Sequence, residues 1–122
     1  MKIAVLDDYQ NSVKDLACFG LLKGHDVHVF NETFTNTEDL VTNLKDFDAL
    51  VLIRERTVIS EELLANLPKL KLISQTGKIS NHIDAQLCHK YDVAVAEGVG
   101  SPVAPSELCW GLIMSASRHI PE

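Results

Sequence analysis

Arg54, Arg56 and Lys78 put three cations on two short polar stretches, Arg54-Glu55-Arg56-Thr57 and Ser74-Gln75-Thr76-Gly77-Lys78. Each stretch ends an apolar run, Ala49 to Ile53 in one case and Leu70 to Ile73 in the other. Cations beside a glycine, with backbone amides at hand, are the residue types of an anion site. The cations supply charge, and glycine lets a ligand approach the backbone closely. We take Arg54, Glu55, Arg56, Thr76, Gly77 and Lys78 as the candidate binding residues. The ordinary alternative is solvated charge at two strand ends, with Gly77 as a simple turn residue.

Other chemistry is less well served. Asp7-Asp8 after the first apolar run invites a phosphoacceptor reading, but Arg54 stands where a second aspartate is needed and Glu97 where a lysine is needed. Solvated strand-end acids are the expectation there. The five histidines form no His-Glu-x-x-His pair and none neighbours a cysteine pair, so metal binding is not expected. His82 lies nearest the candidate site and is expected to face solvent from a loop. No glycine-rich nucleotide loop follows the first strand, and Gly98-Val-Gly100 reads as the exit from the last one.

The elements that must position these residues follow from periodicity. Lys2 to Leu6, Val27 to Phe30, Ala49 to Ile53, Leu70 to Ile73 and Val93 to Ala96 read as five strands. Between them, helices are expected from Asn11 (carrying Val13, Leu16, Ala17, Leu21 and Leu22 and ending at Gly24), after Thr37, from Ser60 and from Asp84. Short apolar strands alternating with helices predict an α/β fold, a doubly wound parallel five-stranded sheet with both faces covered. In such a sheet ligands bind beyond the carboxyl ends of the strands, where the two polar stretches lie.

Length and composition bound the rest. At 122 residues and 46% hydrophobic, the chain is one domain with a real core. A net charge of -6 argues against a nucleic-acid partner. No apolar run approaches a signal peptide or a membrane span. Cys18, Cys88 and Cys109 are odd in number and widely spaced, as reduced thiols of a cytoplasmic protein would be.

The end of the chain differs. After the loop Gly98-Val-Gly-Ser-Pro-Val-Ala-Pro105 comes a helix expected from Pro105 to Arg118, with Ala104 pushed out of helical geometry. Leu108, Cys109, Trp110, Leu112, Ile113 and Met114 cover nearly its whole circumference, so something outside one small domain should cover it. Gly111 and Ser115, one turn apart, would admit another backbone.

Four segments together carry a resemblance. They are Val51-Leu-Ile-Arg-Glu-Arg-Thr-Val-Ile59, Leu67-Pro-Lys-Leu-Lys-Leu-Ile-Ser-Gln-Thr-Gly77, His82-Ile-Asp84, and Ser106 through Pro121. Their order and spacing resemble the amino-terminal part of D-isomer-specific 2-hydroxyacid dehydrogenases, the group of D-3-phosphoglycerate dehydrogenase and the glyoxylate or hydroxypyruvate reductases. The resemblance implies a flavodoxin-like substrate-binding domain over residues 1–104. Residues 105–122 would then be a helix crossing to an NAD-binding Rossmann domain that carries the catalytic Arg, Glu and His. It also implies that Thr76, Gly77 and Lys78 offer backbone amides to the substrate carboxylate, with Arg54 to Arg56 beside the same pocket. Ile79, Ser80-Asn81-His82 and Ser101 stand where the family has a second glycine, Val-Asp-Asn and an asparagine.

The resulting expectation is the substrate-binding half of an NAD-dependent enzyme acting on a small 2-hydroxy or 2-oxo acid. This chain, ending where the Rossmann domain should begin, would hold neither NAD nor the catalytic residues and would be inactive alone. With that domain missing, the terminal helix is expected to pair two copies as a homodimer. The alternative is a non-catalytic flavodoxin-like binding or interaction module.

Overall fold

Five parallel strands form one sheet in the computed structural model, which describes residues 1–120. They are β1 (Lys2–Val5), β2 (Asp26–Val29), β3 (Ala49–Ile53), β4 (Leu72–Thr76) and β5 (Ala94–Glu97), in the order β2-β1-β3-β4-β5. This is the flavodoxin-like doubly wound order, and the chain reverses its direction of travel across the sheet between β1 and β3. Four α-helices follow the later strands: α1 (Thr37–Leu44), α2 (Glu61–Ala65), α3 (Ala85–Lys90) and α4 (Val103–Ser117). Pro121 and Glu122, the last residues of the expected crossing helix and its motif, lie outside the described residues.

The helix starts are set locally. Asn36 accepts from the Asp39 amide at 2.8 Å, Ser60 from the Leu63 amide at 3.2 Å, and Asp84 from the Gln86 and Leu87 amides at 2.9 and 3.1 Å. Each side chain satisfies amides that have no partner inside the helix. Glu61 and Glu62 add negative charge to the first turn of α2.

The two sheet faces are covered unequally. Register aligns Ala4, Leu50, Ile73 and Val95 on one face. Ala4, Leu50 and Ile73 are fully buried against Leu40 and Leu44 of α1, Leu63 and Leu64 of α2, and Cys88 of α3. Burying a side chain of leucine size stabilises by about 1.5–3 kcal/mol, so this face carries the core. On the other face Ile3 and Ala49 are buried, Leu72 is half-buried and Ala94 is exposed. Cover on this face therefore fades toward β5, contrary to the expectation of two evenly covered faces.

That segment is not the α-helix expected from Asn11. It forms two 3-10 turns, Val13–Asp15 and Ala17–Leu22, with no buried residue. Leu16 is extended between them, which breaks the helical hydrogen-bond run. Asp8, not Asn11, secures the first turn, accepting from the Ser12 and Val13 amides at 3.2 and 3.0 Å.

Three strands are displaced from their apolar runs. β2 runs one residue earlier than expected, from Asp26 to Val29. β4 begins at Leu72, because Leu70 belongs to the core beneath α2, and it continues through the polar Ser74, Gln75 and Thr76. β5 runs one residue later than expected. The terminal helix begins at Val103, and Ala104 is helical despite preceding Pro105. Pro105 sits in the first turn, where its missing N–H breaks no helical bond. Every large apolar residue of α4 is exposed, Trp110 by 64% and Leu112 by 61%. Among the described residues no helix is long and apolar enough to cross a membrane.

Candidate functional site

A cleft of about 390 Å³ opens at the carboxyl ends of β1, β3 and β4. It lies at the topological switch point, where diverging connections leave a crevice between neighbouring strands. Arg54, Arg56 and Thr76 line it, together with Tyr9 and Ile53. Three of the expected residues are thus brought together in one cleft. Glu55 is exposed and does not line the cleft, and neither do Gly77 and Lys78, which lie just past Thr76.

The two arginines differ from the lysine in what they touch. Neither Arg54 nor Arg56 has a carboxylate partner among the described residues. Lys78 pairs with Glu97 at 3.2 Å, across an exposed gap. Such surface pairs are worth little, about 0–1 kcal/mol. Glu97 also accepts the Ile79 amide at 2.9 Å, and Gly98 donates to the Gly77 carbonyl at 2.7 Å. The end of β5 thereby holds the loop after β4. No protein acceptor faces the Gly77 and Lys78 amides among the described residues. Gly77 takes a positive φ of 99°, a conformation glycine adopts without a Cβ clash.

Arg54 has a φ of 56°, which is costly for a non-glycine residue, on the order of 1–3 kcal/mol. Its carbonyl accepts from the Gln75 side-chain amide at 3.0 Å. The Gln75 oxygen in turn faces His82 Nε2 at 3.0 Å. Since Gln75 spends its amide on Arg54, His82 must carry its proton on Nε2. His82 is buried, not the solvent-facing loop residue expected, and its Nδ1 has no hydrogen-bond partner among the described residues. His82 is thus linked through Gln75 to the carbonyl of the strained arginine.

Asp7 and Asp8 are likewise buried, 2% and 3% exposed, not the solvated acids expected. Asp7 accepts from Thr33 Oγ1 at 2.8 Å and Thr57 Oγ1 at 2.6 Å, and its carbonyl accepts from Arg56 Nη1 at 2.6 Å. Arg56 also stacks over Tyr9, 4.2 Å from guanidinium carbon to ring centre. The place of Asp7 to Tyr9, directly after a central strand, was the one sequence signal for this part of the cleft. The partners Thr33 and Thr57 left none.

The cleft at the switch point thus holds two arginines that have no carboxylate partner among the described residues. Residues 3–110 match the family described as D-isomer specific 2-hydroxyacid dehydrogenase, catalytic domain. The chain belongs to this family. Among solved D-2-hydroxyacid dehydrogenase relatives, a phosphoglycerate oxidoreductase from Vibrio cholerae is 65% identical, with a TM-score of 0.86 over 99% of this chain and 38% of that one. A D-3-phosphoglycerate dehydrogenase from Bacillus subtilis is 32% identical over 71% of this chain and 17% of its own. An NAD-dependent formate dehydrogenase from Staphylococcus aureus, solved in complex with NAD, is 25% identical with a TM-score of 0.63 over 83% of this chain and 32% of that one. The chain thus spans well under half the length of these dehydrogenases.

Proposed function

We propose that this chain is the substrate-binding part of an NAD-dependent D-2-hydroxyacid dehydrogenase, which moves a hydride between nicotinamide and C2 of a 2-hydroxy or 2-oxo acid. Acids such as 3-phosphoglycerate, glyoxylate and hydroxypyruvate fit the cleft's charge. The observation that carries this reading is the pair Arg54 and Arg56, which line the switch-point cleft with Thr76 and have no carboxylate partner among the described residues. Thr76, Gly77 and Lys78 hold the acid's carboxylate through backbone N–H groups. Arg54 and Arg56 supply positive charge where the substrate's remaining oxygens lie, and Lys78 adds to it when the ligand displaces Glu97.

The nicotinamide cofactor supplies or accepts the hydride when bound. On this reading the cofactor and the proton-transfer groups come from outside residues 1–120. This chain alone then binds acid without reducing it. The exposed α4 is covered by that domain or, without it, by a second copy. The free thiols Cys18, Cys88 and Cys109 support a cytoplasmic location.

Titration of the ¹⁵N-labelled chain with D-3-phosphoglycerate tests the site. Shifts are expected at Arg54, Arg56, Gly77 and Lys78, and Arg56→Ala is expected to weaken binding more than Lys78→Ala. Silence at these residues would overturn the substrate reading. Calorimetry with NADH tests the division of labour, and micromolar NADH binding by this chain would sink it.

A further inference from the structure

We infer that Asp7 is a positioning residue for Arg56, holding its guanidinium ready in the cleft. This rests on the reading of the cleft as an anion site. Three facts about Asp7 converge. Its φ of 60° puts it in the left-handed region, which aspartate tolerates better than most residues. There its carbonyl accepts from both the Tyr9 amide at 2.9 Å and Arg56 Nη1 at 2.6 Å. Its buried side chain meanwhile accepts from Thr33, in the loop after β2, and from Thr57, directly after Arg56.

The contacts close into a ring. Asp7 holds Thr33, Thr33 meets the Tyr9 hydroxyl, Tyr9 carries the Arg56 guanidinium on its face, and Arg56 returns to the Asp7 carbonyl. Thr57 fastens the arginine's own backbone to the same carboxylate. One N–H of the guanidinium and one face are thus engaged, and its other donors have no protein partner among the described residues. An arginine held this way loses less rotamer freedom when an anion arrives. Asp7 also places its negative charge on hydroxyl donors and not on the guanidinium, so Arg56 keeps its charge for the ligand. A carboxylate paired directly with Arg56 would compete with the anion.

The test uses the whole ¹⁵N-labelled chain, reading the Arg56 Nε–H resonance and the affinity for D-3-phosphoglycerate. In the unmodified chain, the Tyr9 ring should shift that resonance away from the free-arginine position. Asp7→Asn and the near-isosteric Thr57→Val should both return it toward that position. Each should weaken binding about tenfold, the scale of one charge-assisted contact. Neither should weaken it further in an Arg56→Ala background, where a merely structural role would still show. If Asp7→Asn loses its dispersed spectrum, Thr57→Val decides. If the ligand binds and neither variant moves the Arg56 resonance or the affinity, the inference falls while the substrate reading stands. If D-3-phosphoglycerate leaves Arg54, Arg56 and Gly77 unmoved in the unmodified chain, the substrate reading falls and takes Asp7's role with it.

Discussion

Gly98 lies directly against Gly77: a Cβ on Gly98 would stand 3.0 Å from the Gly77 nitrogen and 3.2 Å from its Cα. Both near atoms are backbone, so nothing flexible can give way. Gly98 is not in a left-handed conformation, so the demand for glycine here is one of space alone. The start of the loop after β5 and the proposed carboxylate-binding loop after β4 are thereby in contact.

Gly98→Ala should therefore push the Gly77 loop outward. Steric insertion of this kind costs about 1–3 kcal/mol. The expected outcome is lower stability in chemical denaturation, with amide shifts concentrated at Gly77, Lys78 and Ile79. Ala accepted with no change in stability or in those shifts would refute the contact.

Acid should release the same loop. The Ile79 amide, and after it the Lys78 ammonium, hold the Glu97 carboxyl below its ordinary value of 4.5. A depressed folded-state value means the contact contributes above the ordinary value and is lost as pH falls through the folded one. The Ile79 amide resonance should titrate with a midpoint below 4.5, and Glu97→Gln should abolish that titration. A midpoint at or above the ordinary value would contradict the assignment. Because Glu97 is exposed, the effect belongs to the loop and not to global stability.

Gln75→Leu should strip the Arg54 carbonyl and His82 Nε2 of their partner together. A buried polar group left unsatisfied costs about 1–3 kcal/mol. Denaturation should show a loss in that range. The Arg54 amide should exchange with solvent faster, since the strained turn loses its side-chain tie. A loss under about 0.5 kcal/mol would mean that water replaces Gln75 freely.

The terminal helix should drive self-association of the isolated chain. Leu108, Trp110, Leu112 and Ile113 are each more than half exposed. A large apolar side chain left in water forgoes roughly 1.5–3 kcal/mol of burial. A twofold pair is the commonest closed arrangement, and Gly111 with Ser115 admits a close helix crossing. Light scattering should report a dimer at tens of micromolar, and replacing Trp110 and Met114 with polar residues should give monomers. A monomeric unmodified chain would overturn this.

Much of the architecture was legible in the sequence because it rests on local rules. Alternating short apolar runs and capped helices announced the parallel sheet. Ser60 and Asp84 cap as read, since a cap bonds within three residues of itself. Arg54, Arg56 and Thr76 reached one cleft because parallel strands bring their carboxyl ends to the same edge. Local rules failed where distant partners decide. Leu16 and its neighbours carry a helical pattern but find no covering layer, and they form 3-10 turns instead. Ser74, Gln75 and Thr76 look like a loop, yet pairing with β3 makes them strand. Asp7 and His82 look like solvated polar residues. Their burial depends on Thr33, Thr57 and Gln75, which only the folded chain brings within hydrogen-bond reach. Which cations stay unpaired was likewise settled by tertiary structure. Glu97 arrives from another strand to take Lys78, while the Asp7 carboxylate turns to two hydroxyls and leaves Arg56 its charge.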